Sequence, residues 1–250
     1  MSDLLVVKDL RKVYETNDRQ LELFKDLSFT MEDREFVSII GPSGCGKSTL
    51  LRLIAGLDKP TSGSIVFQGQ KVINENLGIS MVFQSFGLFP WLNVIDNVAI
   101  GLEAKGMNKK DRYEIAKKYI EKVGLDGYEE TYPSELSGGM KQRVGVARAL
   151  AVTPTLLCMD EPFSALDALT AENLREEVLL LWEDKEFPPD SVLMVTHNVE
   201  EAVYMSTRIL VLSEKPAKLI KDVKISLDRP RNKKSEEFQE YTDLIYSCLT

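Results

Sequence analysis

The chain has few of the side chains that build disulfide frameworks and metal clusters. Its 250 residues include three cysteines, Cys45, Cys158 and Cys248, and one histidine, His197. The number and spacing of the cysteines fit neither a set of disulfides nor a zinc site. Cys158 lies in an apolar run, and we predict that it is a small residue of the core.

Long apolar stretches and an excess of positive charge are also absent from the sequence. No apolar run approaches the roughly 18 residues of a membrane-spanning helix, and the first residues lack the pattern of a signal peptide. We therefore expect a cytoplasmic protein. Lysine and arginine total 31 against 39 acidic residues, and this net charge of −8 argues against a nucleic-acid partner.

Short apolar runs alternate with helical patterns along much of the chain. We predict strands at residues 36–40, 64–67, 79–83, 156–159, 192–196 and 208–213. Strands that alternate with helices favour an α/β fold with a mostly parallel sheet and helices on both faces. The short strands of the first third predict an antiparallel β-lobe beside that sheet.

The sequence pattern also predicts how the chain is divided. We expect one large domain over residues 1–220, with a helical subdomain at about 86–150 inserted into the α/β core. From residue 221 the chain is polar and contains proline, and residues 221–250 are expected to form a C-terminal extension. Its helix would carry one apolar face, with Phe238, Tyr241, Leu244, Ile245 and Leu249.

A glycine-rich loop lies between the strand at 36–40 and a helical pattern. It comprises Gly41, Pro42, Ser43, Gly44, Cys45, Gly46, Lys47, Ser48 and Thr49. These residues match G-x-x-x-x-G-K-[ST], in which backbone N–H groups and the following helix N-terminus bind phosphate oxygens. Lys47 would reach the β- and γ-phosphates and Ser48 would ligate Mg²⁺. Cys45 is either a tolerated small residue or a thiol whose oxidation would block nucleotide binding.

Polar side chains follow three other predicted strands, at the edge where open α/β sheets bind ligands. Asp160 would hold Mg²⁺, and Glu161 would polarise the attacking water as a general base. His197 would contact the γ-phosphate or hold that water, and Gln84 is long enough to touch the metal or the water. Each residue taken alone is also consistent with a solvated strand end.

The stretch Leu-Ser-Gly-Gly-Met at residues 136–140 is ordinary turn sequence when it is read alone. Its position between the phosphate loop and the acidic strand end gives it a second interpretation. Ser137, Gly138 and Gly139 would lie at a helix N-terminus, where N–H groups and the helix dipole favour an anion.

The ordered set of motifs resembles the ATP-binding subunit of ABC transporters over about residues 4–213. The matched features are an adenine-stacking aromatic, Walker A, the Q-loop, the signature, Walker B with its catalytic glutamate, the D-loop and the switch histidine. Their residues are Tyr14, Gly41–Thr49, Gln84, Leu136–Met140, Leu156–Glu161, the segment 164–167 ending at Asp167, and His197.

The resemblance implies ATP and Mg²⁺ as cofactors, and an ATPase coupled to transport. Lys47, Gln84, Glu161 and His197 would be catalytic, while Ser48, Gln84 and Asp160 would face the metal. Two copies of the chain would bury two ATP molecules head to tail. The signature residues Ser137, Gly138 and Gly139 would contact the γ-phosphate of the partner's ATP, and Asp167 would communicate across the same interface.

A narrower resemblance points to the nitrate/sulfonate/taurine branch of bacterial importers, on residues 89–103, 136–150, 163–170 and 228–231. It implies uptake of a small anion through transmembrane permease subunits, with a solute-binding protein as an indirect partner. The protein would then lie at the inner face of the cell membrane. Apolar residues between Phe86 and Leu92 form either a small core or a docking surface for the permease.

Other functions remain open at this stage. The chain could energise a different class of solute, or could be an ABC ATPase of DNA repair or of the ribosome. An ABC ATPase of DNA repair would need a long coiled-coil insertion, and a ribosome-associated one would need two cassettes in one chain. A nucleotide-binding scaffold that does not hydrolyse is disfavoured by Glu161 and His197.

Overall fold

The computed structural model describes residues 3–16, 19–73, 78–184 and 189–249. Within these ranges the strands are β1 (Leu5–Thr16), β2 (Arg19–Met31), β3 (Phe36–Ile40), β4 (Ser62–Phe67), β5 (Gln70–Lys71), β6 (Ile79–Val82), β7 (Leu156–Asp160), β8 (Ser191–Val195), β9 (Arg208–Leu212) and β10 (Leu219–Lys224). The helices are α1 (Lys47–Ile54), α2 (Val94–Ala104), α3 (Lys109–Lys122), α4 (Gly138–Ala151), α5 (Ala168–Glu183), α6 (Val199–Met205) and α7 (Glu236–Leu249).

The chain divides into two compact units. The first comprises Met1–Leu77 together with Ser191–Thr250, and the second comprises Gly78–Asp190. The boundary that the sequence predicts at residue 220 stays a prediction. No helix in the described ranges has the length and apolarity needed to cross a membrane.

The first unit contains the antiparallel β-lobe, in the strand order β2-β1-β4-β5. Strand β1 pairs antiparallel with both of its neighbours, so Leu5 lies between Met31 and Phe67. All three side chains are fully buried. The predicted antiparallel lobe is therefore confirmed.

The first unit also contains the parallel strands that carry the phosphate loop. Strand β3 pairs in parallel with β8 on one side and β9 on the other, and β10 closes the edge antiparallel to β9. Every residue of β3 and β8 is buried, as expected for strands covered on both faces. Sequence patterning missed β10 because five of its six residues are exposed or half-buried and so carry no apolar signal.

The C-terminal helix α7 packs against α6 in the same unit. Phe238 and Ile245 are fully buried in a cluster with residues of α6 and β9. The predicted apolar face is wrong at one position, because Leu244 is 40% exposed whereas Thr242 is buried. Residues 238, 242 and 245 follow the i, i+4, i+7 spacing of one helix face, and residue 244 lies about 100° away from its neighbour 245.

The second unit combines two parallel strands with the predicted helical lobe. Strands β6 and β7 pair from Ile79↔Leu156 to Val82↔Met159. Helices α2 and α3 pack on α4 through buried apolar side chains, including Val98, Ile120 and Val144. The α/β fold with an inserted helical lobe is thus confirmed.

Candidate functional site

The phosphate loop joins β3 to α1 through a turn that requires glycine. Gly44 and Gly46 have φ angles of 77° and 113°, which side-chain-bearing residues rarely adopt. A Cβ on Gly46 would also lie 2.8 Å from Cζ of Phe24. Because Phe24 is fully buried, it has no room to move away. The loop backbone can therefore keep this shape only with glycine at position 46.

Lys47 turns its ammonium group back into this loop. Its Nζ donates hydrogen bonds to the carbonyl oxygens of Gly41, at 2.8 Å, and Pro42, at 3.2 Å. The side chain is 6% exposed, and the first turn of α1 holds no acidic residue. A buried cation at a helix N-terminus is an anion-binding arrangement. The Lys47 ammonium and the N–H groups at the start of α1 fit a nucleotide phosphate, and the hydroxyl oxygen of Ser48 fits the metal ion bound to it.

Tyr14 lies beside an ion pair in the β-lobe. Its hydroxyl donates to Oδ2 of Asp58 at 2.6 Å, while Nζ of Lys12 donates to Oδ1 of the same carboxylate at 2.7 Å. The Lys12 ammonium also lies 4.5 Å from the centre of the Tyr14 ring. Burial and the Asp58 carboxylate raise the pKa of Tyr14, so its hydroxyl stays protonated. The ring is 40% exposed, and adenine stacking on it stays a prediction.

His197 is fixed between the end of β8 and the start of α6. The backbone N–H of Asn198 donates to Oγ1 of Thr196 at 3.0 Å. The Asn198 side chain then caps α6 by accepting a hydrogen bond from the N–H of Glu201 at 3.1 Å. His197 itself is exposed and directly precedes Asn198, so the position of its backbone depends on where this helix begins.

In the second unit, the strand-end residues Gln84 and Glu161 lie together. Nε2 of Gln84 donates to Oε2 of Glu161 at 3.3 Å and to Oγ of Ser164 at 3.3 Å. Ser164 in turn donates to the backbone carbonyl of Glu161 at 2.9 Å. Ser164 begins the predicted D-loop segment, but its contacts with Gln84 and Glu161 were not predicted, although its place three residues after Glu161 is the spacing of a hydroxyl turning back to a strand end.

The buried end of β7 carries the carboxylate that the sequence predicts as a metal ligand. Asp160 is the last residue of this strand and is 5% exposed. The Nε2 end of the Gln84 amide faces Glu161. The Oε1 atom of Gln84 is therefore the end of the amide that would ligate a cation. Among the residues that the structure describes, no three His, Cys, Asp or Glu side chains cluster as a metal cage. The oxygen atoms of Asp160 and Gln84 suit Mg²⁺, which is commonly bound by one or two protein ligands plus phosphates.

The predicted signature forms the N-terminus of α4. Ser137 caps this helix by accepting a hydrogen bond from the N–H of Met140 at 3.3 Å. Gly139 packs so closely on Thr170 that an added Cβ would lie 2.4 Å from its Cγ2. The N–H of Thr170 donates to Oδ1 of Asp167 at 3.0 Å, and this cap lowers the pKa of Asp167. The signature and Asp167 are thereby packed against each other in one unit.

Helix α4 also holds the segment that follows Gln84. The guanidinium of Arg148 donates to the carbonyl oxygens of Gly87 at 2.6 Å and Phe86 at 3.2 Å. Phe86 has a φ of 63°, a left-handed conformation that these bonds help to hold. Further along, Trp91 is 70% exposed and its ring centre lies 5.6 Å from that of Phe89.

A model of the ABC transporter family matches residues 24–164, which is more than half of the chain. The chain belongs to the ABC transporter family. This ABC protein is 44% identical to the nitrate import ATP-binding protein of a Synechocystis species, over 98% of this chain and 94% of the relative. It is 43% identical to the aliphatic sulfonates import ATP-binding protein of Bacillus cereus, over 94% and 91%.

A solved structure agrees with these sequence comparisons. A dimeric ATP-binding cassette bound to ADP and Pi in a post-hydrolysis state has a TM-score of 0.79 and 31% identity, covering 90% of this ABC protein and 100% of the other chain. The predicted ABC ATPase fold is confirmed. The resemblance to the nitrate/sulfonate/taurine branch is also confirmed, because relatives named for all three solutes match most of the chain.

Proposed function

We propose that this chain is the ATP-binding and ATP-hydrolysing subunit of an importer that takes up a small anion through a separate permease. The observation that carries this proposal is the similarity over most of the chain to proteins named for nitrate, aliphatic sulfonate and taurine import. Nitrate and the sulfonate group are both small oxyanions, so the shared solute chemistry is that of an oxyanion. The chain would act at the inner face of the membrane, beside the permease.

The nucleotide would bind on the phosphate loop of the first unit. Lys47 would exchange its bonds to the Gly41 and Pro42 carbonyls for bonds to the β- and γ-phosphates, because phosphate oxygens are stronger acceptors for an ammonium group. The N–H groups at the start of α1 would bind the same phosphates. Tyr14 would stack on adenine, since its ring is partly exposed and its hydroxyl is held by Asp58.

Catalysis would depend on Glu161 as the general base toward the attacking water. Gln84 and Ser164 support this role, because their hydrogen bonds hold the side chain and backbone of Glu161. His197 would hold the water and the γ-phosphate in line. Mg²⁺ held by Ser48, Asp160 and Gln84 would neutralise charge on the phosphate oxygens.

The signature would act on the nucleotide of a second copy. Ser137, Gly138 and Gly139 form a capped helix N-terminus without an acidic side chain in its first turn, which suits an anion brought by a partner. A dimeric cassette among the similar structures supports this arrangement. Asp167 would communicate across the same dimer interface. It caps α5, and α5 packs on Gly139 through Thr170.

A role in DNA repair is not favoured. A long coiled coil would have to lie between the phosphate loop and β7, where the described helices α2 and α3 have 11 and 14 residues. Trp91 supports the transport role instead, since a large apolar side chain that is 70% exposed is a candidate for docking to a membrane subunit.

The first experiment measures phosphate release from ATP by the purified chain with Mg²⁺. We expect hydrolysis by the natural chain, and loss of both ATP binding and hydrolysis in Lys47→Ala. Lys71→Ala, at an exposed strand edge, is the matched control and should behave like the natural chain. A chain that binds no ATP would refute the proposal.

The solute class is tested with the chain and its permease in proteoliposomes. Nitrate, taurine and an alkanesulfonate are compared with a neutral sugar and an amino-acid cation, in the presence of the solute-binding protein. ATP-dependent uptake of one of the anions is expected. Uptake confined to the sugar or the cation would leave the ATPase role intact and overturn the anion assignment.

A further inference from the structure

The C-terminal extension binds the end of the helix that follows His197. Arg231 is 9% exposed, and its guanidinium lies at the C-terminus of α6. It donates to the carbonyl oxygens of Val203 at 2.5 Å, Ser206 at 2.7 Å and Tyr204 at 3.2 Å. Its Nε donates to the carbonyl of Leu227 at 3.2 Å, which ties the extension to the same point.

A second arginine of the extension binds the same helix end. Arg229 donates to the carbonyl oxygen of Met205 at 2.5 Å and to that of Tyr204 at 3.4 Å. The last carbonyl groups of a helix lack partners within the helix, and they carry the negative end of its dipole. Two guanidinium groups therefore satisfy both the hydrogen-bonding and the electrostatic needs of the C-terminus of α6.

Helix α7 holds α6 along its side. Phe238 and Ile245 are both fully buried in a cluster with Val199, Ala202 and Val203. The extension thus fixes α6 at two places, through hydrogen bonds at its C-terminus and through apolar packing on one face.

Helix α6 depends on these contacts because it is short. It has seven residues, so it is roughly 10 Å long at about 1.5 Å of rise per residue. An isolated helix of this length is not stable in water. Asn198 caps its N-terminus and directly follows His197, so a shift of the helix moves the backbone from which the imidazole extends. Val203, the first residue whose carbonyl oxygen accepts from Arg231, lies close to His197 in the chain.

We propose that Arg231 is a positioning residue for His197, and that the C-terminal extension sets the place of this imidazole through α6. Arg229 and the Phe238–Ile245 face of α7 support the same contact. The catalytic consequence rests on the proposed ATPase function, whereas the structural consequence does not. The extension is then part of the catalytic apparatus, although it follows every motif of the cassette in the chain.

The structural consequence is tested by NMR, because His197 is the only histidine in the chain. Its C2–H proton gives one resolved imidazole signal. Arg231→Lys keeps the charge but replaces a planar fork that reaches several carbonyls by a single ammonium. We expect this signal to shift or broaden in Arg231→Lys, and to a smaller extent in Arg229→Lys. Arg11→Lys, at an exposed ion pair with Glu22 in the same unit, is the control and should leave the signal in place.

The catalytic consequence is tested by a double-mutant cycle with His197→Ala. Because a misplacement of about 1 Å can cost up to roughly 100-fold in rate, we expect Arg231→Lys to lower kcat by about tenfold with the Kd for ATP unchanged. In the His197→Ala background the same substitution should lower kcat no further.

Two results would overturn the proposal. One is an equal fall in kcat in both backgrounds, and the other is an unmoved His197 signal in a variant whose Tm has dropped, which would mean a purely structural role. Absence of ATPase activity in the natural chain would instead count against the proposed function, and the NMR comparison would still decide the placement of His197.

Discussion

Nε2 of Gln84 donates a hydrogen bond of 3.3 Å to Oε2 of Glu161, which joins the residues that follow two neighbouring parallel strands. Glu161 also has a φ of 44°, in the left-handed region that a glutamate rarely occupies. Such a conformation costs of order 1–3 kcal/mol and persists only where its surroundings hold it. Here Ser164 holds the carbonyl and Gln84 holds the carboxylate. The carboxylate is therefore held in one orientation at the strand end.

The first prediction concerns Glu161→Gln. The substituted amide can still accept a hydrogen bond from Gln84 but cannot take a proton from water. We expect ATP hydrolysis to fall by about 100-fold or more, the range of general-base catalysis, while ATP binding is retained. An ATP-bound dimer should then accumulate, which size-exclusion chromatography with ATP would detect.

The control for this prediction is Glu176→Gln, an exposed acid on α5. It should hydrolyse ATP at the natural rate and should show no trapped dimer. An undiminished hydrolysis rate in Glu161→Gln would sink the general-base role. Loss of ATP binding in that variant would assign Glu161 to the binding step instead.

The second prediction compares two neighbouring glycines of the signature. An alanine Cβ at position 139 would lie 2.4 Å from Cγ2 of Thr170, whereas at position 138 the nearest atom is 3.8 Å away. Gly139→Ala should therefore displace the first turn of α5, which Asp167 caps. We expect it to lower the Tm, and to lower ATPase activity and ATP-dependent dimerisation at least tenfold. Gly138→Ala should keep the Tm of the natural chain, because its Cβ has room.

Thr170→Ser provides the rescue, because it deletes Cγ2 and keeps the backbone N–H that Asp167 accepts from. Activity should return in the Gly139→Ala, Thr170→Ser double variant. If Gly138→Ala lowers the Tm equally, or if the double variant stays inactive, then the close contact with Thr170 is not the cause.

The parts of the fold that could be predicted are those with a local signal. The phosphate loop can be predicted from the sequence because its glycine spacing, the strand before it and the helix after it lie within about 20 consecutive residues. Strand β10 is not readable, since an edge strand pairs through its backbone and its side chains are mostly exposed. The face of α7 was nearly right, and Leu244 was misplaced because the side that packs on α6 is fixed by tertiary contacts.

The candidate site shows the same limit. Gln84 and Glu161 could each be picked out as strand ends, but the hydrogen bond between them depends on the register of β6 and β7, which the sequence does not state. The contacts of Gln84 with Ser164, of Gly139 with Thr170 and of Arg148 with Phe86 likewise join segments distant in the chain. A motif supplies the chemistry of a residue, and the partners that orient it come from the fold.

The third prediction concerns thiol reactivity. Burial raises the pKa of the Cys45 thiol, although the positive charge of Lys47 lowers it in part. Burial also raises the pKa of Cys158, to about 12. A raised pKa means less thiolate at a given pH, so both should react slowly with iodoacetamide at pH 7.5 and faster as the pH rises. Half-buried Cys248 should react first. Mass spectrometry would follow the three sites, and rapid modification of Cys45 with loss of ATP binding would instead favour the redox-sensitive interpretation.

The fourth prediction concerns Trp91, the most exposed of the large apolar side chains in the described ranges, at 70%. An exposed side chain adds little to the free energy of unfolding, so Trp91→Ala should change it by no more than about 0.5 kcal/mol. We expect unchanged basal ATPase activity in the isolated chain, together with loss of solute-stimulated ATPase and of uptake in proteoliposomes. Leu180→Ala, 67% exposed on α5, is the matched control and should preserve transport. An equal loss of basal activity and transport in Trp91→Ala would show that the indole supports the unit through its contact with Phe89, and that it is not a docking residue.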